Sequence, residues 1–451
     1  MSAKAAYARY QPDLPILPPE LWREILREAT DSSQLFDTDN LFFEFSGPCM
    51  RRDLECLKKS LVPAQSSHSL NFSSRSTQIT KRYVVRVCKQ WNALATPFLY
   101  ESLPISGNKS LSILSSTLLA SRRHVLQAFG NGEENEKPLG WWTRRLDIYC
   151  SDYWDLFASD AEEYICSAIR CLPNLTTLNV LEKTLDLPPS IQLALQDNCI
   201  NLEAINWVRH GPLYTFPILR GSLFPSLRAL RIPSPLTKYP FQLRLFDKVH
   251  TLTIDHDFWT KRFGDAPLEV FFPAVEKLVV HVSIEDEWNF AQDLLPLPTF
   301  ITHHIDSRRV KTLMVHVNRS TVFWTAIGPL LPIQRIVDAC PNTQHLILSL
   351  DVWSVFPCEL VLSSSTKTLS LRSNQLQGKR LVYHTLISNL EEITASGLKS
   401  LQFVDARNVK DIDKHNSQRK ALGQLCEKRN WAYIVGAVVG PQVDLKEADT
   451  L

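Results

Sequence analysis

Through most of the chain, apolar residues return in one short pattern: apolar, two variable, apolar, one variable, apolar. It runs PNLTTLNV at 173–180, INLEAINW at 200–207, PSLRALRI at 225–232, DKVHTLTI at 247–254 and PAVEKLVV at 273–280. It continues with RRVKTLMV at 308–315, PNTQHLIL at 341–348, SSTKTLSL at 364–371 and GLKSLQF at 397–403, with a weaker copy, WTRRLDI, at 142–148. In each copy the last two apolar residues alternate with one variable residue, the periodicity of a strand with one buried face. The interval between copies ranges from 22 residues (Leu227 to Val249) to 35 (Val275 to Val310), so the repeat is irregular.

Helical spacing fills several of the gaps: Ala158 to Arg170, Ser190 to Cys199, Glu287 to Leu295, Leu331 to Ala339, Leu376 to Leu390 and Ser417 to Arg429. Leu213 to Leu223 and Thr260 to Phe271 carry too many prolines or aromatics for that assignment. A strand, a crossover and a parallel strand, repeated, predict an α/β body that buries its leucines only by stacking each unit on the next. The variable residues inside the strands, such as Asn179, Asn206, Arg231, Thr253, Met314 and Ser370, then form an outward row open to a partner. NSQRKALGQLCEKRNWAYIVGAVVG reads as a closing helix and strand.

The pattern differs at the start. Leu17, Leu21, Trp22, Ile25, Leu26 and Ala29 share one helical face behind Pro15, Pro18 and Pro19, and a proline in the first turn loses no hydrogen bond. A helix is expected from Pro18 or Pro19. A second is expected over Tyr83 to Ala95, with Val84, Val87, Cys88, Trp91, Leu94 and Ala95 at three-and-four spacing, Thr80 as its cap and Pro97 as its stop. Neither helix can bury its stripe alone, so the two should pair and leave an apolar rim.

LPPELWREIL together with VCKQWNALATPFLY resembles the two halves of an F-box, and the repeats behind it resemble the leucine-rich-repeat type of F-box protein, of fungal kind. That resemblance implies a short N-terminal helical module followed by an irregular leucine-rich-repeat solenoid, with parallel strands on the concave side and helices and loops on the convex side. It further implies docking on a Skp-family adaptor, and through it on a cullin, as the substrate-recognition subunit of an SCF ubiquitin ligase. Carried over by position, the adaptor-facing residues are Leu17, Pro18, Pro19, Leu21, Ile25, Leu26, Val87, Cys88 and Trp91. The chain departs from the compact motif by inserting residues 31–79 between the halves. The expected layout is a mobile lead-in at 1–13, the module at 14–105, repeats at 106–440 and a polar tail at 441–451. The first alternative is a repeat scaffold that binds protein outside any ligase, and the second a hydrolase or transferase whose site is assembled from loops.

Composition narrows the chemistry. In 451 residues, 49 basic and 47 acidic side chains leave a net charge of +2, which gives no overall field for nucleic acid or a membrane surface. No apolar leader follows Met1, and Trp431 to Gly440 is too short to span a bilayer, so cytoplasm or nucleus is the expected compartment. The 10 cysteines form no CxxC pair, and Cys171, Cys199 and Cys340, each just ahead of a repeat, read as core filler. With 14 glycines there is no phosphate-cradling motif and no nucleophile elbow, so no cofactor, metal or catalytic residue is assigned. His303 beside His304, and His256 between Asp255 and Asp257, read as packing and surface histidines.

Overall fold

A computed structural model describes residues 18–30, 79–130, 137–149, 159–181, 189–208, 224–233, 246–256, 271–284, 296–319, 331–350, 353, 356–357, 359–373 and 380–435. Leu17, the 31–78 part of the insertion, the expected helix at Glu287 to Leu295 and the terminal tail lie outside these residues.

The chain begins with α1 (Pro19–Ala29) and, after a short helical segment at 79–84, α2 (Lys89–Glu101). Strands β1 (Ser102–Ser106), β2 (Arg145–Tyr149), β3 (Thr177–Leu181), β4 (Ala204–Val208), β5 (Ala229–Pro233) and β6 (Thr251–His256) follow. Helices α3 (Asn108–Gly130), α4 (Ser159–Ile169) and α5 (Pro189–Asn198) lie between the first four. Next come β7 (Lys277–Ile284), α6 (Pro296–His304), β8 (Thr312–Arg319), α7 (Leu331–Asp338) and β9 (His345–Leu350). The remainder is β10 (Val361–Leu362), β11 (Thr368–Ser373), α8 (Arg380–Glu392), β12 (Thr394–Ala395), β13 (Ser400–Phe403), α9 (Ala406–Asp413), α10 (Asn416–Arg429) and β14 (Ala432–Val435).

Twelve strands make one sheet in sequence order, with every pairing parallel; β10 and β12 form a separate two-stranded parallel pair. The nine full copies of the motif all supply strands in register: Leu178, Ile205, Leu230, Leu252, Leu278, Leu313, Leu346, Leu369 and Leu401 stand side by side. The described side chains of that row and of the one two residues on join Ile165 and Ile169 of α4, Ile191 and Leu195 of α5, Ile333 and Ile336 of α7 and Leu386 of α8 in one continuous core. On the opposite face Ala204 and Ala229 form a separate small apolar cluster.

Polar side chains of the motif, Asn174, Asn342 and Thr366, tie neighbouring units together. Asn174 and Asn342, each following the motif proline, donate to the carbonyls of Trp141 (2.8 Å) and Arg308 (2.9 Å) in the preceding unit. Thr343 and Thr366 occupy a core position that the pattern treats as apolar. They are buried there because their hydroxyls donate to the carbonyls of Cys340 (2.9 Å) and Thr343 (3.1 Å). At Gly140 and Gly397 the backbones of adjacent units approach so closely that a Cβ would strike the carbonyls of Cys171 and Ser364.

The row expected to face outward is not exposed. Asn179, Asn206, Arg231, Thr253, Met314 and Ser370 do share one register row with Asp147, but all are buried. Several of its polar members bond to one another or to the adjoining Arg145, while the Thr253 hydroxyl is buried without a hydrogen-bond partner among the described residues. Arg145 Nε reaches both Asp147 oxygens at 2.9 Å, Asn179 donates to Asp147 at 2.5 Å, and Arg231 lies 3.5 Å from Asn206.

Three helices escape the sequence reading: α3, α6 and α9. Asn408 of α9, fully buried, bonds both the N–H and the C=O of Ser373 (2.9 and 3.0 Å) and so closes the end of β11. Tyr383 of α8 donates to Asp411 of α9 at 2.5 Å; burial first, then this carboxylate, pushes the phenol far above its usual range. α10 ends as its sequence requires, with Asn430 in the left-handed conformation (φ 56°) and Trp431 N–H returning to the Cys426 carbonyl at 2.8 Å. Among the described residues no helix is long and apolar enough to cross a membrane.

Asp147→Ala, which removes the carboxylate paired with the buried Arg145 guanidinium, is expected to cost about 3–5 kcal/mol in denaturant unfolding, whereas Asp306→Ala at a half-buried turn should cost well under 1 kcal/mol. Gly397→Ala is expected to lower the melting temperature by forcing two units apart, with a penalty of roughly 1–3 kcal/mol.

Candidate functional site

The N-terminal helices hold the residues that sequence reading singles out. α1 begins at Pro19, as expected, with Glu20 in the first turn where the helix dipole favours a carboxylate. It ends at Thr30, whose buried hydroxyl donates to the Leu26 carbonyl at 2.6 Å.

The second helix departs from expectation. Helical geometry stops at Val84, a turn occupies 85–87, and α2 restarts at Lys89 with Cys88 as its cap, the thiol accepting from Trp91 N–H at 3.4 Å. Asn92 locks the turn by donating to the Val85 carbonyl at 2.9 Å. Thr80 lies within the earlier helical segment instead of capping the second helix. Pro97 does not stop α2, which continues to Glu101. A proline inside a helix costs about 3 kcal/mol. Packing of the last turn offsets that here, since Tyr100 rests on the main core and α2 lies against the Leu139–Trp142 turn.

Leu26, Val84 and Ala95 form a small core of their own, separate from that of the sheet, with Val85, Trp91, Leu94 and Phe98 around it. Trp22 and Trp91 meet across the helices with ring centroids 5.1 Å apart and tilted by 55°. Lys81, almost wholly buried, lies 3.9 Å from Glu101 and ties the 79–84 segment to the root of the sheet.

The nine predicted docking residues therefore separate. Leu26, only 2% exposed, belongs to the module's interior and is corrected from a contact residue to a core residue. Trp91 is half-buried against Trp22. Pro18, Pro19, Leu21 (51% exposed), Ile25 (46%), Val87 (60%) and Cys88 present free surface. Leu17 is outside the described residues. Sequence reading did not pick out Ile79 and Tyr83, which are exposed beside them.

Of the histidine and cysteine candidates, His304 and the three repeat cysteines pack in the interior, and the side chain of His256 lies outside the described residues. His304 is buried against Phe271 and Phe300, with ring centroids 5.0 Å away in each case, while His303 beside it is exposed. Cys171, Cys199 and Cys340 are buried, and burial raises the thiols of Cys199 and Cys340 to about 12.

A pulse of iodoacetamide on the native protein, read by peptide mass mapping, is expected to label exposed Cys88 well before Cys199 and Cys340, whose buried thiols hold their protons. Compared with models of known protein families and with curated proteins, the chain finds no match.

Proposed function

We propose that the chain is the substrate-recognition subunit of a cullin-type SCF ubiquitin ligase, its N-terminal helices acting as an F-box for a Skp-family adaptor. The single observation behind this reading is the apolar tip. Leu21, Ile25, Val87 and Tyr83 stand exposed on a module with its own small core, separate from the core of the sheet. Isolated apolar residues are common on surfaces, but four on so small a module support a protein contact there. The sheet body then acts as the leucine-rich-repeat solenoid, its recurring strand motif and strictly sequential parallel order supporting that finer description.

In this reading the protein performs no bond chemistry. It holds a target near a charged ubiquitin carrier in the cytoplasm or nucleus, and its effect is to raise the local concentration of an acceptor lysine.

Leu21→Asp with Ile25→Asp is expected to abolish co-purification with a Skp-family adaptor, since each change places a charge in a desolvated contact. Leu193→Asp, an exposed apolar position on α5 in the sheet body, should leave it intact. Adaptor bound to the wild-type chain should also slow alkylation of Cys88. Undiminished adaptor capture by the double variant would remove the ligase assignment and favour a repeat scaffold working outside any ligase.

A further inference from the structure

The backbone ladder extends one residue ahead of the strands. Glu276 accepts from Lys311 N–H, Lys311 from Gln344, Gln344 from Lys367 and Lys367 from Lys399, each at 2.7–2.8 Å. The residue directly before each strand thus forms a lateral row along the leading edge of the sheet. Its earlier part alternates in charge: Glu101, Arg144, Thr176, Glu203, Arg228, His250, Glu276. From Lys311 onward the row is Lys311, Gln344, Lys367 and Lys399, with no acid.

Arg308 and Arg309, on the turn that leads into β8, extend the positive surface. Arg308, Arg309, Lys311 and Lys367, with Asn342, Gln344 and Ser365, line a groove of about 540 Å³ in which Glu276 is the one acid among the described residues, and Lys399 lies one strand beyond it along the row. Arg308, Arg309, Lys311, Lys367 and Lys399 are all exposed, and Glu276 pairs with Lys311 at 3.2 Å. The local field reaches a neighbour: after burial, the Lys367 ammonium is what lowers His345 below the ordinary imidazole value.

We infer that this groove binds an acidic segment of a partner protein, laid across the leading edge from β8 to β13. Three strand spacings separate Lys311 from Lys399, about 14 Å, which four residues of extended peptide cover at roughly 3.4 Å each. Two arginines offer forked donors to carboxylates, the lysines add point charges, and Asn342 and Gln344 supply neutral hydrogen bonds. Nucleic acid fits less well, because the row turns to alternating charge at Glu276 and Glu203 and gives a longer phosphate backbone no continuous track. The inference does not depend on the adaptor reading, which concerns the opposite end of the chain.

The test uses the full chain and a fluorescein-labelled decapeptide of alternating Glu and Asp, read by anisotropy at low and high salt. Binding to the wild type should weaken with salt. Lys311→Glu with Lys367→Glu should lower affinity by roughly tenfold or more. Glu276→Gln should raise it, and Arg123→Glu, on the exposed face of α3, should leave it unchanged. If the charge-reversed protein fails to fold by circular dichroism, Lys311→Gln with Lys367→Gln carries the same expectation. Absence of peptide binding to the wild type, equal binding by either lysine double variant, or tighter binding of a single-stranded oligothymidylate of equal charge would overturn the proposal.

Discussion

A parallel strand in an open sheet satisfies only half of its backbone groups against the strand before it; the other half need the strand that follows. Here every interior strand of the twelve-stranded sheet finds both partners in the strands before and after it in chain order, with only the short β10 and β12 passed over, and β1 and β14 form the two edges. The constraint reaches beyond the strands, because the ladder includes the preceding residue as well, fixing the lateral rows from Glu101 to Lys399. Once the ladder is set, the register decides everything else: which leucines share the core, which polar side chains meet on the other face, and which charges line the leading edge. A slip of one residue would turn every one of these rows over.

The strands were readable because a two-residue alternation behind an upstream core position survives wide variation in spacing. The helices were less so, for reasons visible in particular residues. α3 buries Leu111, Ser115 and Leu118, and its many serines blur the apolar stripe that would announce it. α6 opens with Pro296 and Pro298, which suggest a turn on paper, yet prolines cost little in a first helical turn. In α2 the reverse happened. Pro97 looked like a terminus, and tertiary packing carried the helix through it.

The N-terminal module was legible at the level of which helices pair, and less so at the level of which side chains face out. Leu26 and Ile25 are adjacent and equally apolar, so only the observed packing tells that one fills the small core and the other is free. The variable row of the strands shows the same limit. Alternation identified Asn179, Asn206 and Arg231 as lying opposite the leucines, but nothing in a linear pattern records that they are buried. Charge behaves likewise: a net of +2 across the chain conceals the local gathering of Lys311, Lys367 and Lys399, which becomes visible only when the register lines them up.

α2 ends at Glu101 and β1 begins at Ser102, with no intervening residue to act as a swivel. Tyr100 and Ser102, on either side of that junction, are both anchored, one on the core and the other buried in the first strand. A load gripped at the tip would therefore be held like cargo on a fixed boom, its heading set by the sheet itself. Reach and aim in such a device are altered by adding or removing strands, and not by flexing a joint.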